Sequence, residues 1–194
     1  MSLEPGQILN NRYQITALLG HGGMCSVYRA HDQTLNRAVA IKERRPDPNA
    51  TTTGLVEARA QFQREAQVLA NLNHPNLPRV TDFFSSDGNE YLVMDFVEGG
   101  SLERIVQQRG AQLETLVLAW AQQLLDALIY IHARNMVHRD IKPQNLILTT
   151  EGRVVLVDFG LVKLFDPNDP RTVTAMRGMG TAEYAPLEDR KSVV

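Results

Sequence analysis

Polar and apolar positions change their period twice along this chain. Residues 13–19 alternate and favour β-formers, then break at Gly20. Residues 27–30 resume the alternation and residues 38–42 repeat it. A glycine-turned hairpin followed by a further antiparallel strand is predicted. Residues 45–54 carry two prolines, Asn49 and three threonines, and read as a loop. Phe62, Ala66 and Leu69 then recur at helical spacing, and the helix is predicted to end near Asn73-His74-Pro75. Residues 80–84 and 91–96 flank Ser85-Ser86-Asp87-Gly88-Asn89, a hairpin turn signal. Past Gly99-Gly100 the period becomes helical. Leu113, Leu116, Val117, Trp120, Leu124, Leu128 and Ile131 fall on one stripe. The pattern predicts an α+β chain: an antiparallel five-stranded sheet with one helix, a short hinge, and a helical second half.

Composition narrows the possibilities. The chain has 194 residues, 43% of them hydrophobic, enough for one sizeable domain or two small ones. A net charge of −2 leaves no electrostatic footprint for nucleic acid, and no Lys/Arg cluster addresses a membrane surface. Cys25 is the sole cysteine, which excludes an internal disulfide and favours a reducing compartment. Residues 1–11 have no apolar run of the kind a signal peptide needs. Residues 113–131 are apolar-rich but contain Glu114, Gln122, Gln123 and Asp126, so they read as an amphipathic helix and not as a membrane span.

Several segments carry chemistry. Gly20-His21-Gly22-Gly23-Met24-Cys25-Ser26-Val27 lies between two strands. Glycines there let backbone N–H groups approach phosphate oxygens, although a glycine-rich hairpin by itself needs no ligand to explain it. The strand–loop–strand setting separates it from a P-loop or a dinucleotide fingerprint, both of which lead into a helix. Cys25 is read as structural. In Val39-Ala40-Ile41-Lys42, strand geometry puts Ala40 and Lys42 on one face. A buried lysine needs a carboxylate, and Glu65 is the candidate; the plain alternative is a solvated helix glutamate. Downstream, His138-Arg139-Asp140-Ile141-Lys142-Pro143-Gln144-Asn145 and Asp158-Phe159-Gly160 supply a carboxylate, a cation and two hard oxygen donors. A hydroxyl attacking a nucleotide phosphate needs that set: a base, a cation on the phosphoryl group, and ligands for magnesium.

In this order, these motifs resemble the catalytic core of a protein kinase, and the wording around Gly22-Gly23-Met24 resembles the bacterial branch of the eukaryotic-type Ser/Thr kinases. The resemblance implies a bilobal fold with ATP and Mg²⁺ as cofactors and protein Ser/Thr hydroxyls as acceptors. It implies Asp140 as base, Lys142 as γ-phosphate contact, and Lys42 paired with Glu65. Asn145 and Asp158 would be the Mg²⁺ ligands. Gly20 and Gly22 would cradle the phosphates. Val27, Ala40 and Ile147 would enclose adenine, Met94 would guard its back, and the Asp95 carbonyl and Val97 N–H would bond its edge. Leu69, Val80, His138 and Phe159 would form a stack beneath. Gly99-Gly100 would let the lobes move. Lys142 and Thr181 agree with Ser/Thr rather than Tyr acceptors. Arg139 implies an anion, expected from phosphorylation of Thr172 or Thr174 between two associated copies; the alternative is two ordinary loop threonines.

The resemblance covers residues 13–188 and departs from the family pattern at Cys25 and at Pro186-Leu187-Glu188. The expected division is 1–97 as an ATP-binding N-lobe, 98–188 as a partial C-lobe, and 189–194 as a non-native tail on a truncated reading frame. A cytoplasmic location is expected, with room for a membrane anchor in a longer parent. The runner-up reading is a nucleotide-binding pseudokinase scaffold; intact Lys42, Asp140, Asn145 and Asp158 argue against it. A small-molecule phosphotransferase is the third, and Arg139 and Lys142 argue against that.

Overall fold

A computed structural model of the chain describes residues 3–22, 25–158, 163–164 and 184. Chain contacts divide it into two compact units, Met1–Asn73 with Pro78–Val97, and His74–Leu77 with Glu98–Val194.

The first unit is built on an antiparallel sheet. Its strands are β1 (Ile8–Leu9), β2 (Tyr13–His21), β3 (Cys25–Asp32), β4 (Arg37–Arg44), β5 (Val80–Ser86) and β6 (Asn89–Asp95), and their order is β1-β2-β3-β4-β6-β5. The sheet therefore has six strands where the alternation pattern predicts five. The extra one, β1, is two residues long and too short to show a period. β4 is central, and the run from Val39 to Glu43 is buried throughout, as a strand covered on both faces requires.

Register sorts the side chains by face, because directly opposed residues in an antiparallel pair point the same way. On one face Tyr28 opposes Ile41, Ala30 opposes Val39 and Ile41 opposes Val93. With Tyr13, Ile15 and Tyr91 these form the core cluster. Glu43 belongs to this face and is fully buried. Its carboxylate accepts from Tyr28 Oη at 3.1 Å, Tyr91 Oη at 3.2 Å and Asn89 Nδ2 at 3.0 Å. Three donors offset the cost of burying the group. Burial beside Glu43 in turn pushes the Tyr91 phenol up to about 12.

Helix α1 (Thr52–Ala70) starts inside the stretch read as loop. Thr51 caps it: the Oγ1 accepts from Gly54 N–H at 3.2 Å. Phe62, Ala66 and Leu69 are buried, as their spacing predicts.

The second unit opens with β7 (Gly100–Ser101), α2 (Leu102–Arg109) and α3 (Glu114–His132). Ser101 caps α2, and Gly110 closes it at φ 72°. The second half is not purely helical. β9 (Leu146–Leu148) and β10 (Val154–Leu156) form a sheet of order β10-β9-β7, and β8 (Met136–Val137) pairs with β11 (Lys163–Leu164). These strands are two or three residues long, too short for alternation to register. Of the α3 stripe, Ile131 is buried, whereas Leu116 and Val117 stand exposed with Leu118, Leu125 and Ile129. No helix among the described residues is long and apolar enough to cross a membrane.

Candidate active site

Five of the residues assigned to the nucleotide in the first unit, Gly20, Val27, Ala40, Lys42 and Met94, share the sheet face opposite the aromatic core. Gly20 opposes Val27, Val27 opposes Lys42, and Ala40 opposes Met94. Ala40, Lys42 and Met94 are buried. An ideal Cβ on Gly20 would meet nothing within 4 Å, and one on Gly22 would meet only the Cys25 carbonyl at 3.9 Å. A side chain at either position would fill the open space above the hairpin, which is what a phosphate cradle must keep clear. Asp95 falls on the other face, where its carboxylate pairs with Arg37 at 2.7 Å. That leaves its backbone carbonyl, the group the resemblance implicates. Val97 lies beyond the end of β6, outside the ladder. Glu65 sits half-buried on α1, one turn before the buried Leu69.

In the second unit the catalytic-loop residues converge. Lys142 Nζ lies 2.9 Å from Asp140 Oδ2. Asn145 Nδ2 donates to the Asp140 carbonyl at 2.8 Å and to Asp140 Oδ2 at 3.0 Å. Asp140, Asn145 and His138 are buried. The Asn145 carbonyl accepts the Val157 N–H at 2.8 Å, which ties the loop to the residue before Asp158. Arg139 and Asp158 both adopt left-handed backbone, φ 65° and 67°. That conformation costs a non-glycine residue about 1–2 kcal/mol and persists only where its surroundings impose it. Ile147 lies on β9, opposite Val155 and Ser101. Gln144 donates its amide to Glu103 on α2, a contact not anticipated from sequence.

Gly99 also has a local reason to be glycine. Its φ is 157°, and a Cβ there would lie 2.2 Å from the Leu148 carbonyl oxygen. Close approach of two backbones demands glycine at this position.

Phe159, Thr172, Thr174, Thr181, Pro186-Leu187-Glu188 and the tail 189–194 lie outside the described residues.

Comparison with known proteins identifies the family. The family model for the protein kinase domain matches residues 13–188. The chain belongs to the protein kinase domain family. A probable serine/threonine-protein kinase of Clostridium perfringens is 36% identical over 96% of this chain. Serine/threonine-protein kinase B of Synechocystis is 38% identical over 93% of it. A probable serine/threonine-protein kinase of Bacillus subtilis is 36% identical over 86%. The chain spans 26% of the length of the first of these and 33% of the second. Within this kinase family, use of ATP and a divalent metal is general, and the donors present fit it. Magnesium is held by one or two hard side-chain oxygens together with substrate phosphates, and Asn145 with Asp158 supplies such a pair.

Proposed function

We propose that the protein to which this chain belongs transfers the γ-phosphoryl group of ATP to Ser or Thr hydroxyls of proteins. The observation that carries this reading is the convergence of Asp140, Lys142 and Asn145 within one hydrogen-bonded loop. Asp140 orients the acceptor hydroxyl and takes its proton. Lys142, already beside that carboxylate, offsets charge on the transferring group. Positioning and charge stabilisation account for most of phosphoryl-transfer catalysis.

Gly20 and Gly22 hold the phosphates through backbone N–H groups, and Lys42, oriented by Glu65, contacts the α/β-phosphates. Val27, Ala40 and Ile147 enclose adenine, with Met94 behind it and the Asp95 carbonyl and Val97 N–H on its edge. Asn145 and Asp158 would hold Mg²⁺, which neutralises phosphate charge when bound. Residues 1–97 act as the nucleotide lobe and 98–188 as the catalytic lobe. Phosphorylation of Thr172 or Thr174 between associated copies pairs with Arg139 and activates the enzyme. The cytoplasm supplies the ATP. The competing reading is a scaffold that binds nucleotide without turnover. The full-length protein, incubated with labelled ATP and a protein acceptor, should yield phosphoserine or phosphothreonine. Nucleotide binding with no transferred label would favour the scaffold.

A further inference from the structure

We propose that Gln123, working through Asn76, is a positioning residue for Asp158. This inference rests on the reading of Asp158 as a metal ligand. Among the described residues β10 is the edge strand of its sheet, so one side of it has no neighbouring strand. Asn76 and Gln123 take that place. Gln123 Oε1 accepts the Val154 N–H at 2.9 Å. Asn76 Nδ2 donates to the Val154 carbonyl at 2.7 Å and to Gln123 Oε1 at 3.0 Å. The Asn76 carbonyl accepts the Leu156 N–H at 2.9 Å, and Gln123 Nε2 donates to the Gly152 carbonyl at 3.3 Å. The backbone dictates both amide orientations: the Val154 N–H demands an oxygen from Gln123, and the Val154 carbonyl demands a nitrogen from Asn76.

On the other side, Asn145 receives the Val157 N–H. Residues 154–157 are thus gripped from both sides immediately before Asp158. Asp158 leaves this rail in a left-handed conformation, which relaxes unless its surroundings hold it. Asn76 is buried, as are Val154, Val155 and Leu156, so a lost partner here finds little water to replace it. Gln123 is one of the polar residues of this apolar-rich helix, and the clamp gives a carboxamide there a use.

The test is magnesium-dependent nucleotide binding by the full-length protein, measured by titrating a fluorescent ATP analogue with and without Mg²⁺. Gln123→Leu keeps the bulk but strands the Val154 N–H. It should weaken the Mg²⁺-dependent gain in affinity about tenfold and leave metal-free binding within about twofold, the scale usual for groups that orient metal ligands. Gln123→Glu keeps the accepting oxygen and should restore the gain. Asn76→Ala, which retains the backbone bond to Leu156, should act like Gln123→Leu and serves where that variant does not fold. A lower melting temperature with an unchanged Mg²⁺ gain would overturn the inference, as would failure of Gln123→Glu to restore it. Absence of any Mg²⁺ gain in the wild-type protein would overturn the ligand assignment itself, and the inference with it.

Discussion

The nucleotide face of the first unit and the catalytic loop of the second are assembled by different means. In the first, Gly20, Val27, Lys42, Ala40 and Met94 come together because strands repeat every two residues and antiparallel register pairs them. In the second, Asp140, Lys142 and Asn145 come together around a single 3₁₀ turn, Pro143–Asn145, with no sheet or long helix to place them. Side-chain bonds to backbone hold them, and two non-glycine residues sit in left-handed backbone. A site written on a sheet tolerates change on its far face. A site written in loops depends on each bond that shapes them.

The comparison predicts where damage concentrates. The largest effect is expected from the exposed α3 face. Leu118, Leu125 and Ile129 lie uncovered on it, more than half exposed. Contiguous apolar surface of this kind promotes association. Residues 1–194 expressed alone should bind an apolar dye, aggregate and transfer no phosphate. A soluble monomer of these residues with cooperative unfolding and kinase activity would overturn that expectation. Next, in the full-length protein, Lys42→Ala should lower phosphoryl transfer about 10²- to 10³-fold, the usual cost of removing a group that stabilises developing charge. Steady-state kinetics checks this.

Gly99→Ala drives a Cβ against the Leu148 carbonyl and should cost about 3 kcal/mol or more. Gly100→Ala meets only Ile105 at 3.8 Å and should stay within about 1 kcal/mol. Equal losses in denaturant unfolding would contradict this steric account. The smallest effect concerns pH and the first unit alone. The Arg12 guanidinium, 2.7 Å away, together with the backbone N–H groups of Leu35 and Thr34, lowers Asp32 to about 2 from 3.8. The folded state thus prefers the ionised carboxylate. Its contribution, on the order of 2 kcal/mol, is complete above about pH 4 and fades as pH falls toward 2. The stability gap between wild type and Asp32→Asn should narrow over that window.

Legibility in the sequence follows the same division. Strand alternation puts Ala40 and Lys42 on one face, and the folded sheet keeps them there. The loop motifs announce Asp140, Lys142, Asn145 and Asp158 by type and order. They do not announce the left-handed backbone at Arg139 and Asp158, which no residue type in the motif requires. Gln123 is legible only as one polar residue of an amphipathic helix, since its partners lie 31 and 47 positions away. β1, β9 and β10 escape notice because two or three residues carry no period. Glu43 escapes because its three donors come from the two neighbouring strands, β3 and β6.

The central claim is that Asp140 serves as the base of a Ser/Thr phosphotransferase, and one measurement tests it most directly. Initial rates of phosphate transfer from ATP to a protein acceptor are compared for the full-length protein and its Asp140→Asn variant, with nucleotide affinity measured alongside. The account predicts a rate loss of about 10²- to 10⁴-fold with little change in ATP binding. Near-normal transfer by Asp140→Asn would contradict it.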